Sequence, residues 1–219
     1  MSRRHTQNSK LTLHVQRNWQ GLNVNTRRGP LVHEYLEGIY AVMRASLAQY
    51  SRTLVARADL HFPADRLYSA QGAISRFWES ARAVIAADLK RRGRRGVRIH
   101  QSSLRYVWVR ERKNALNSHY HIAIFLNANT YRSLGGYSPH DVGLAFLVQR
   151  SWASALCLAS GEANGLVHFP ENPLTVINAY SPEGNDQFCR VFYRLSYLAK
   201  VATKEFGDGE RSFGSSRCR

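Results

Sequence analysis

His119-Tyr120-His121-Ile122-Ala123-Ile124-Phe125-Leu126 is the stretch on which the reading of the fold turns. Successive side chains of an extended chain face opposite sides, so His119 and His121 share one face. Tyr120, Ile122, Ile124 and Leu126 share the other. A strand over Ser118–Asn127 is expected, apolar towards a core and bearing two imidazoles on its second face.

Neighbouring strands follow from the same pattern. Leu104 to Glu111 reads as a partner joined through a turn near Asn114 to Asn117. Thr53 to Phe62 alternates, with Ala56, Ala58, Leu60 and Phe62 on one side and Arg57, Asp59 and His61 on the other; Pro63 stops it. Short strands are expected at Gly165–Phe169 and Leu174–Asn178. Helical spacing predicts helices over Leu31–Tyr50, Ala70–Arg91, Ser138–Leu158 and Asp186–Lys204. The order α-β-α-β-β-α-β-β-α predicts an α+β fold, a central antiparallel sheet of about five strands with flanking helices. Trp108 and Trp152 fall in apolar patterns and are expected in the core.

At 219 residues, 44% of them hydrophobic, one domain with extensions is expected. Residues 1–29 are polar and basic and read as a flexible arm, 30–206 as the folded domain, and 207–219 as a Gly/Ser/Arg tail. The chain carries 31 Lys+Arg against 15 Asp+Glu, a net charge of +16. Such a field attracts polyanions, nucleic acid first among them. No stretch approaches the ~20 apolar residues of a membrane span, and the amino terminus lacks the apolar run of a signal peptide. Membrane partners are therefore not expected. Cys157, Cys189 and Cys218 show no paired spacing, which fits free thiols in a reducing cytoplasm.

Two imidazoles one residue apart can chelate one ion, with a carboxylate as the usual third ligand. Glu111 is the first candidate, from the preceding strand; Asp59 is the competing ligand or a partner behind the ligands. His61 reads equally well as such a partner or as a structural histidine. His5, His33, His140 and His168 have no partners in sequence.

The last helix holds the other candidate chemistry. At ~100° per residue from Tyr193, Tyr197 falls at about 40°, Lys200 at about 340° and Lys204 at about 20°. Phe188, Val191, Leu195, Leu198, Ala199 and Ala202 gather on the opposite side. The wheel thus gives two tyrosines and two lysines a common solvent face. Its plain reading is an ordinary exposed surface. The chemical one is a phenol whose nucleophilic phenolate is favoured by a nearby ammonium. The knot Lys90-Arg91-Arg92-Gly93-Arg94-Arg95 reads as a solvated loop, or, on so basic a chain, as a grip on phosphates, with Lys204 a further DNA contact.

His119-Tyr-His121 followed downstream by Tyr193-x-x-x-Tyr197-x-x-Lys200 resembles the HUH endonucleases of rolling-circle replication. The closer similarity is to the replication-protein family of filamentous bacteriophages and the YagK/YfjJ-type proteins of cryptic prophages. It is carried by Arg57-Ala-Asp-Leu-His-Phe-Pro63, Trp108-Val-Arg-Glu111, His119-Tyr-His121, Tyr197-Leu-Ala-Lys200 and Arg211-Ser-Phe-Gly214, and spans Leu54 to Ser216.

The resemblance implies a site-specific nickase and strand transferase on a five-stranded sheet, acting on single-stranded or hairpin origin DNA in a bacterial host. Mg2+ or Mn2+ held by His119, His121 and an acidic residue would polarise the scissile phosphate. A tyrosine would attack, leaving a 5′-phosphotyrosine and a free 3′-hydroxyl for a host polymerase and other host replication proteins. The Tyr-x-x-Lys spacing singles out Tyr197, leaving Tyr193 as a second nucleophile or a neighbour. The main rival is a non-catalytic DNA-binding regulator on the same fold. A two-histidine-one-carboxylate iron oxygenase fits the ligands but explains neither the charge nor the Tyr/Lys face.

Overall fold

A computed structural model describes residues 3–65, 67–112, 116–137, 142–159, 162–163 and 165–217. The first elements are β1 (Arg3–Arg4), β2 (Thr12–His14), β3 (Asn18–Trp19), β4 (Leu22–Asn23), β5 (Leu31–Val32) and α1 (His33–Gln49). Next come β6 (Arg52–His61), α2 (Ala73–Arg94), β7 (Arg105–Glu111), β8 (His119–Asn127) and α3 (Leu144–Ala155). The chain closes with β9 (Val167–His168), β10 (Leu174–Asn178), α4 (Gly184–Ser196), a 3-10 turn (Tyr197–Ala199) and β11 (Phe213–Ser215).

The main sheet runs β10-β6-β8-β7-β11, antiparallel at every step, with β9 pairing the far end of β6. An α+β class with an antiparallel sheet is what the alternating strands predict. Helices cover both faces. Leu54, Ala56, Ala58 and Leu60 of β6 join Tyr120, Ile122, Ile124 and Leu126 of β8 against Phe77 and Trp78 of α2 and Trp152 of α3. Val55, Val107, Val109, Ala123 and Phe125 pack the opposite face against α1 and α4. Trp108 and Trp152 are core residues, as expected.

Burial on both faces separates this sheet from the half-solvated one that alternation suggests. Near the end of the second face the apolar pattern gives way to Arg57, Asp59, His61, His119, His121 and Glu111. These polar residues gather at the edge of a core, not on an open surface.

The expected arm is folded. β1, β2 and β5 form a small sheet, and β3 and β4 form a hairpin. Leu11, Trp19 and Val24 are buried with α1 and α4. Trp19 stacks on Phe192 at 5.5 Å and donates through Nε1 to His33 Nδ1 at 3.0 Å. A few large anchors among many polar residues hold this stretch, which average composition conceals.

The tail likewise supplies a sheet edge, Phe213–Ser215 pairing Val107–Val109. A Cβ on Gly38 would lie 2.7 Å from the Phe213 ring, so glycine there lets the ring sit against α1. Two expected ends also move. The basic knot lies within and just after the last turn of α2, which runs to Arg94, and α4 stops at Ser196 instead of continuing to Lys204. The expected helix start at Ser138–Asp141 and the first part of the turn at Asn114 fall outside the described residues.

Candidate active site

Register brings the polar residues together. Asp59 lies opposite His121 and His61 opposite His119 across β6 and β8. Glu111 lies opposite His119 across β7 and β8. Directly paired residues of an antiparallel sheet project to the same face, so three strands deliver two carboxylates and three imidazoles to one spot. His119 Nε2 and His121 Nε2 are 3.1 Å apart. His121 donates through Nδ1 to Asp59 Oδ1 at 2.6 Å, and its Nε2 stands 3.4 Å from Glu111 Oε2. The His61 ring stacks on His119 at 5.2 Å.

Glu111 is buried and crowded. Lys200 Nζ donates to both its oxygens, at 2.6 and 2.7 Å. Lys204 Nζ adds 3.2 Å to Oε1 and Thr203 Oγ1 adds 2.5 Å to Oε2. Burial alone would raise the carboxyl, but the His121 hydrogen bond and the ammoniums of Lys204 and Lys200 outweigh it and hold it far below the usual carboxylate range. Burial pushes the Lys204 ammonium down to about 8. Burial, helped by the charges of His121 and His61, lowers His119 to about 4. For His121 burial works downward, and the hydrogen bonds to Asp59 and Glu111 overcome it and raise the ring.

Both lysines are therefore placed differently from the wheel's prediction. After the 3-10 turn, Lys200 is extended, with φ −57° and ψ 142°, and forms a β-bridge with Leu31. Val201 then donates to Pro30 O at 3.1 Å. This bend carries Lys200 and Lys204 inward onto Glu111 and away from solvent. Lys204 is not a surface DNA contact: its side chain is 0% exposed. Tyr193 and Tyr197 stay partly exposed, as the wheel predicts. Lys200 Nζ remains beside Tyr197, 4.0 Å from its ring centre, so one ammonium touches both the phenol and the cluster.

The basic knot stands elsewhere. Arg92 donates to Thr130 O, just beyond the end of β8 opposite to His119, and eight strand residues span roughly 25 Å. Arg91 and Arg92 pair with buried Asp88 at 2.5 and 2.8 Å, which ties them to the core; Lys90, Arg94 and Arg95 are exposed. The knot is a separate basic patch that does not converge with the histidines and tyrosines.

Two imidazole nitrogens and a Glu111 oxygen lie within 4.8 Å of one another, a donor set of the kind that takes a divalent ion. His119, neutral near pH 7, has a lone pair to offer. Asp59 on the far nitrogen of His121 is the contact that orients ligating histidines, so it stands behind the cluster. The residues fit an ion that shares Glu111 with the two lysines and displaces the His121 proton.

Sequence reasoning missed Thr203, the burial of both lysines, and Arg57. The last was legible, because Arg57 and Asp59 share a strand face two residues apart. Thr203 had no signal of its own, since its position depends on the bend after Tyr197.

The YagK/YfjJ C-terminal domain family matches residues 14–216 of the chain. Two proteins of Escherichia coli (strain K12) are similar along nearly their whole length. The uncharacterized protein YagK is 35% identical over 198 residues, covering 86% of this chain and 95% of its own. The uncharacterized protein YfjJ is 32% identical over 202 residues, covering 86% and 96%. No solved structure gives a significant match. Among the described residues, no helix is long and apolar enough to cross a membrane.

Proposed function

The chain belongs to the YagK/YfjJ C-terminal domain family, and we propose that it is a metal-dependent, tyrosine-type DNA nickase of the HUH kind, an initiator of phage or prophage replication. The observation that carries this reading is Lys200, whose ammonium lies 4.0 Å from the Tyr197 ring centre and 2.6 Å from Glu111. One cation thereby couples a candidate nucleophile to a candidate metal cluster. The net charge of +16 supports a nucleic-acid substrate.

In the proposed step the Tyr197 oxygen attacks a phosphodiester. The new Tyr–O–P bond forms as the P–O3′ bond breaks; the phenol proton passes to solvent and the 3′-oxygen takes one up. Lys200, over the Tyr197 ring, brings positive charge beside the attacked phosphate to offset the negative charge that builds on it. His119, His121 and Glu111 would hold Mg2+ or Mn2+, which supplies Lewis-acid polarisation of the phosphoryl group. Asp59 keeps His121 aimed. Attack of a 3′-hydroxyl on the phosphotyrosine reverses the step and rejoins the strand. The proposed setting is the bacterial cytoplasm, with host replication proteins extending the freed 3′ end.

Incubation with origin-containing DNA and Mg2+ tests the reading: a denaturation-resistant protein–DNA adduct is expected, and its absence with every candidate origin and metal would reject it. A second reading, a DNA-binding regulator without cleavage, is favoured by one observation. Lys200, Lys204 and Thr203 already donate to both oxygens of Glu111, so an ion would have to share that carboxylate with them. That reading requires tight DNA binding with no adduct.

A further inference from the structure

A groove of about 1140 Å³ runs between α4 and the β3–β4 hairpin with the segment that follows it. Five arginines line it: Arg17 and Arg27 on the amino-terminal wall, Arg190 and Arg194 on α4, and Arg57 from the sheet. No aspartate or glutamate is among its described lining residues. Tyr193 and Tyr197 complete it, so the groove opens onto the candidate nucleophile.

Arg57 is the informative member. Its side chain is only 13% exposed, and its Nε is buried with no hydrogen-bond partner. The nearest carboxylate, Asp59, stands 3.8 Å away, beyond hydrogen-bond range, and its Oδ1 is already engaged by His121 at 2.6 Å. A buried donor left unsatisfied is costly, more so on a charged group. A guanidinium so placed has a long ion pair with Asp59 and a buried Nε donor still unmet, and its planar fork matches a phosphate.

The walls are built to stay in place. Asn25 N donates to Ser196 Oγ at 2.8 Å, joining the amino-terminal wall to the end of α4. Trp19, in the hairpin, stacks on Phe192 of the same helix. Arg194 is held by the carbonyls of Glu171 and Asn172.

We propose that this groove seats the phosphodiester backbone of a single DNA strand, with Arg57 gripping the phosphate that faces Tyr197 and the amino-terminal segment forming the opposite wall. A single strand suits it better than a duplex, because an unstacked base can lie on the partly exposed Tyr193 ring. The inference rests on the nickase reading for the identity of that phosphate, but binding in the groove can be measured without cleavage.

The test is fluorescence anisotropy of the full chain with labelled oligothymidylate in a chelator, so that no strand is cut. The exposed pair Arg17→Ala/Arg27→Ala removes two charges without touching the core. Its affinity should fall about tenfold or more, and the slope of log affinity against log salt should shrink by roughly 1.4. Lys90→Ala/Arg94→Ala/Arg95→Ala should leave the affinity near that of the parent.

Strand cross-linking by a 4-thiothymidine oligonucleotide to the unmodified protein supplies an independent map. Adducts on the 17–27 segment and α4 are expected; adducts confined to 90–98 would overturn the proposal. In a magnesium-containing nicking assay, Arg57→Lys should retain charge yet lose most adduct formation, since the fork is gone. Groove-dependent binding without any adduct would reject the nickase and leave the groove standing. Adduct formation with groove variants that bind and cut like the parent would reject the groove and leave the nickase.

Discussion

Lys200 Nζ lies 4.0 Å from the centre of the Tyr197 ring, at the point where the chain leaves helical geometry and turns into the protein. Lys200 lies three positions after Tyr197, one turn on as the Tyr-x-x-Lys spacing leads one to expect, but a solvent-facing helix would not put the ammonium on a buried carboxylate. The same cation is a neighbour of the phenol and a structural counter-ion of Glu111.

Tyr197→Phe removes one hydroxyl from a half-exposed ring and leaves the cation over it. DNA binding and melting temperature should be unchanged while the covalent adduct disappears on denaturing gels. Tyr193→Phe should leave first cleavage intact. Reversal of these two outcomes would exchange the roles of the tyrosines.

Metal affinity should depend on the imidazole cluster and on the carboxylate behind it. His119→Ala/His121→Ala should abolish Mn2+ binding measured by calorimetry, and nicking with it. Asp59→Asn, which weakens the orientation of His121, should cost about 10- to 100-fold in affinity. Binding unaffected by the double variant would remove the cluster from consideration.

Breaking the buried ion network should be expensive in a particular order. Lys200→Met leaves Glu111 with one ammonium and should cost about 3 kcal/mol, whereas Glu111→Leu strands two buried ammoniums and should cost about 5 kcal/mol or more. Urea unfolding of both variants reads the order directly. Equal and small losses would mean that the contacts stabilise little.

Alkali should unfold the protein through its buried phenols. Burial pushes Tyr35 up to about 12, and burial with Asp88 alongside raises Tyr131. A folded-state pKa above the unfolded value stabilises below the unfolded pKa, near 10, and that stability is lost as pH climbs towards the folded one. Stability followed by urea titration should fall between about pH 10 and 12. Tyr35→Phe should flatten that fall.

Trp19 should behave as a core residue. It is 3% exposed, and Trp19→Ala should cost about 3–5 kcal/mol. A near-neutral effect on the urea midpoint would return the first 29 residues to the status of an arm.

Local periodicity was enough to place much of the sheet and half of the site. Side-chain alternation is a property of two consecutive residues, so His119 and His121 could be put on one face, and Arg57, Asp59 and His61 on one face, with no knowledge of what packs around them. Only seven residues separate β7 from β8, so the two strands were expected to pair, which brought Glu111 within reach. Net charge, a sum over residues, needed no structure at all.

Long-range electrostatics and a few buried anchors decided the remainder. The helical wheel assumed that the backbone stays regular past Ser196. It ends there, and Lys200 finds its counter-ion in a carboxylate 89 residues earlier in the chain, a pairing that no local pattern encodes. Trp19 likewise turns a polar segment into a wall because Phe192 waits for it across the fold. Sequence alone determined which faces the histidines and β6 polar residues share. Only tertiary structure decided where the lysines go, because a buried ammonium is stable only where distant strands have already gathered the opposite charge.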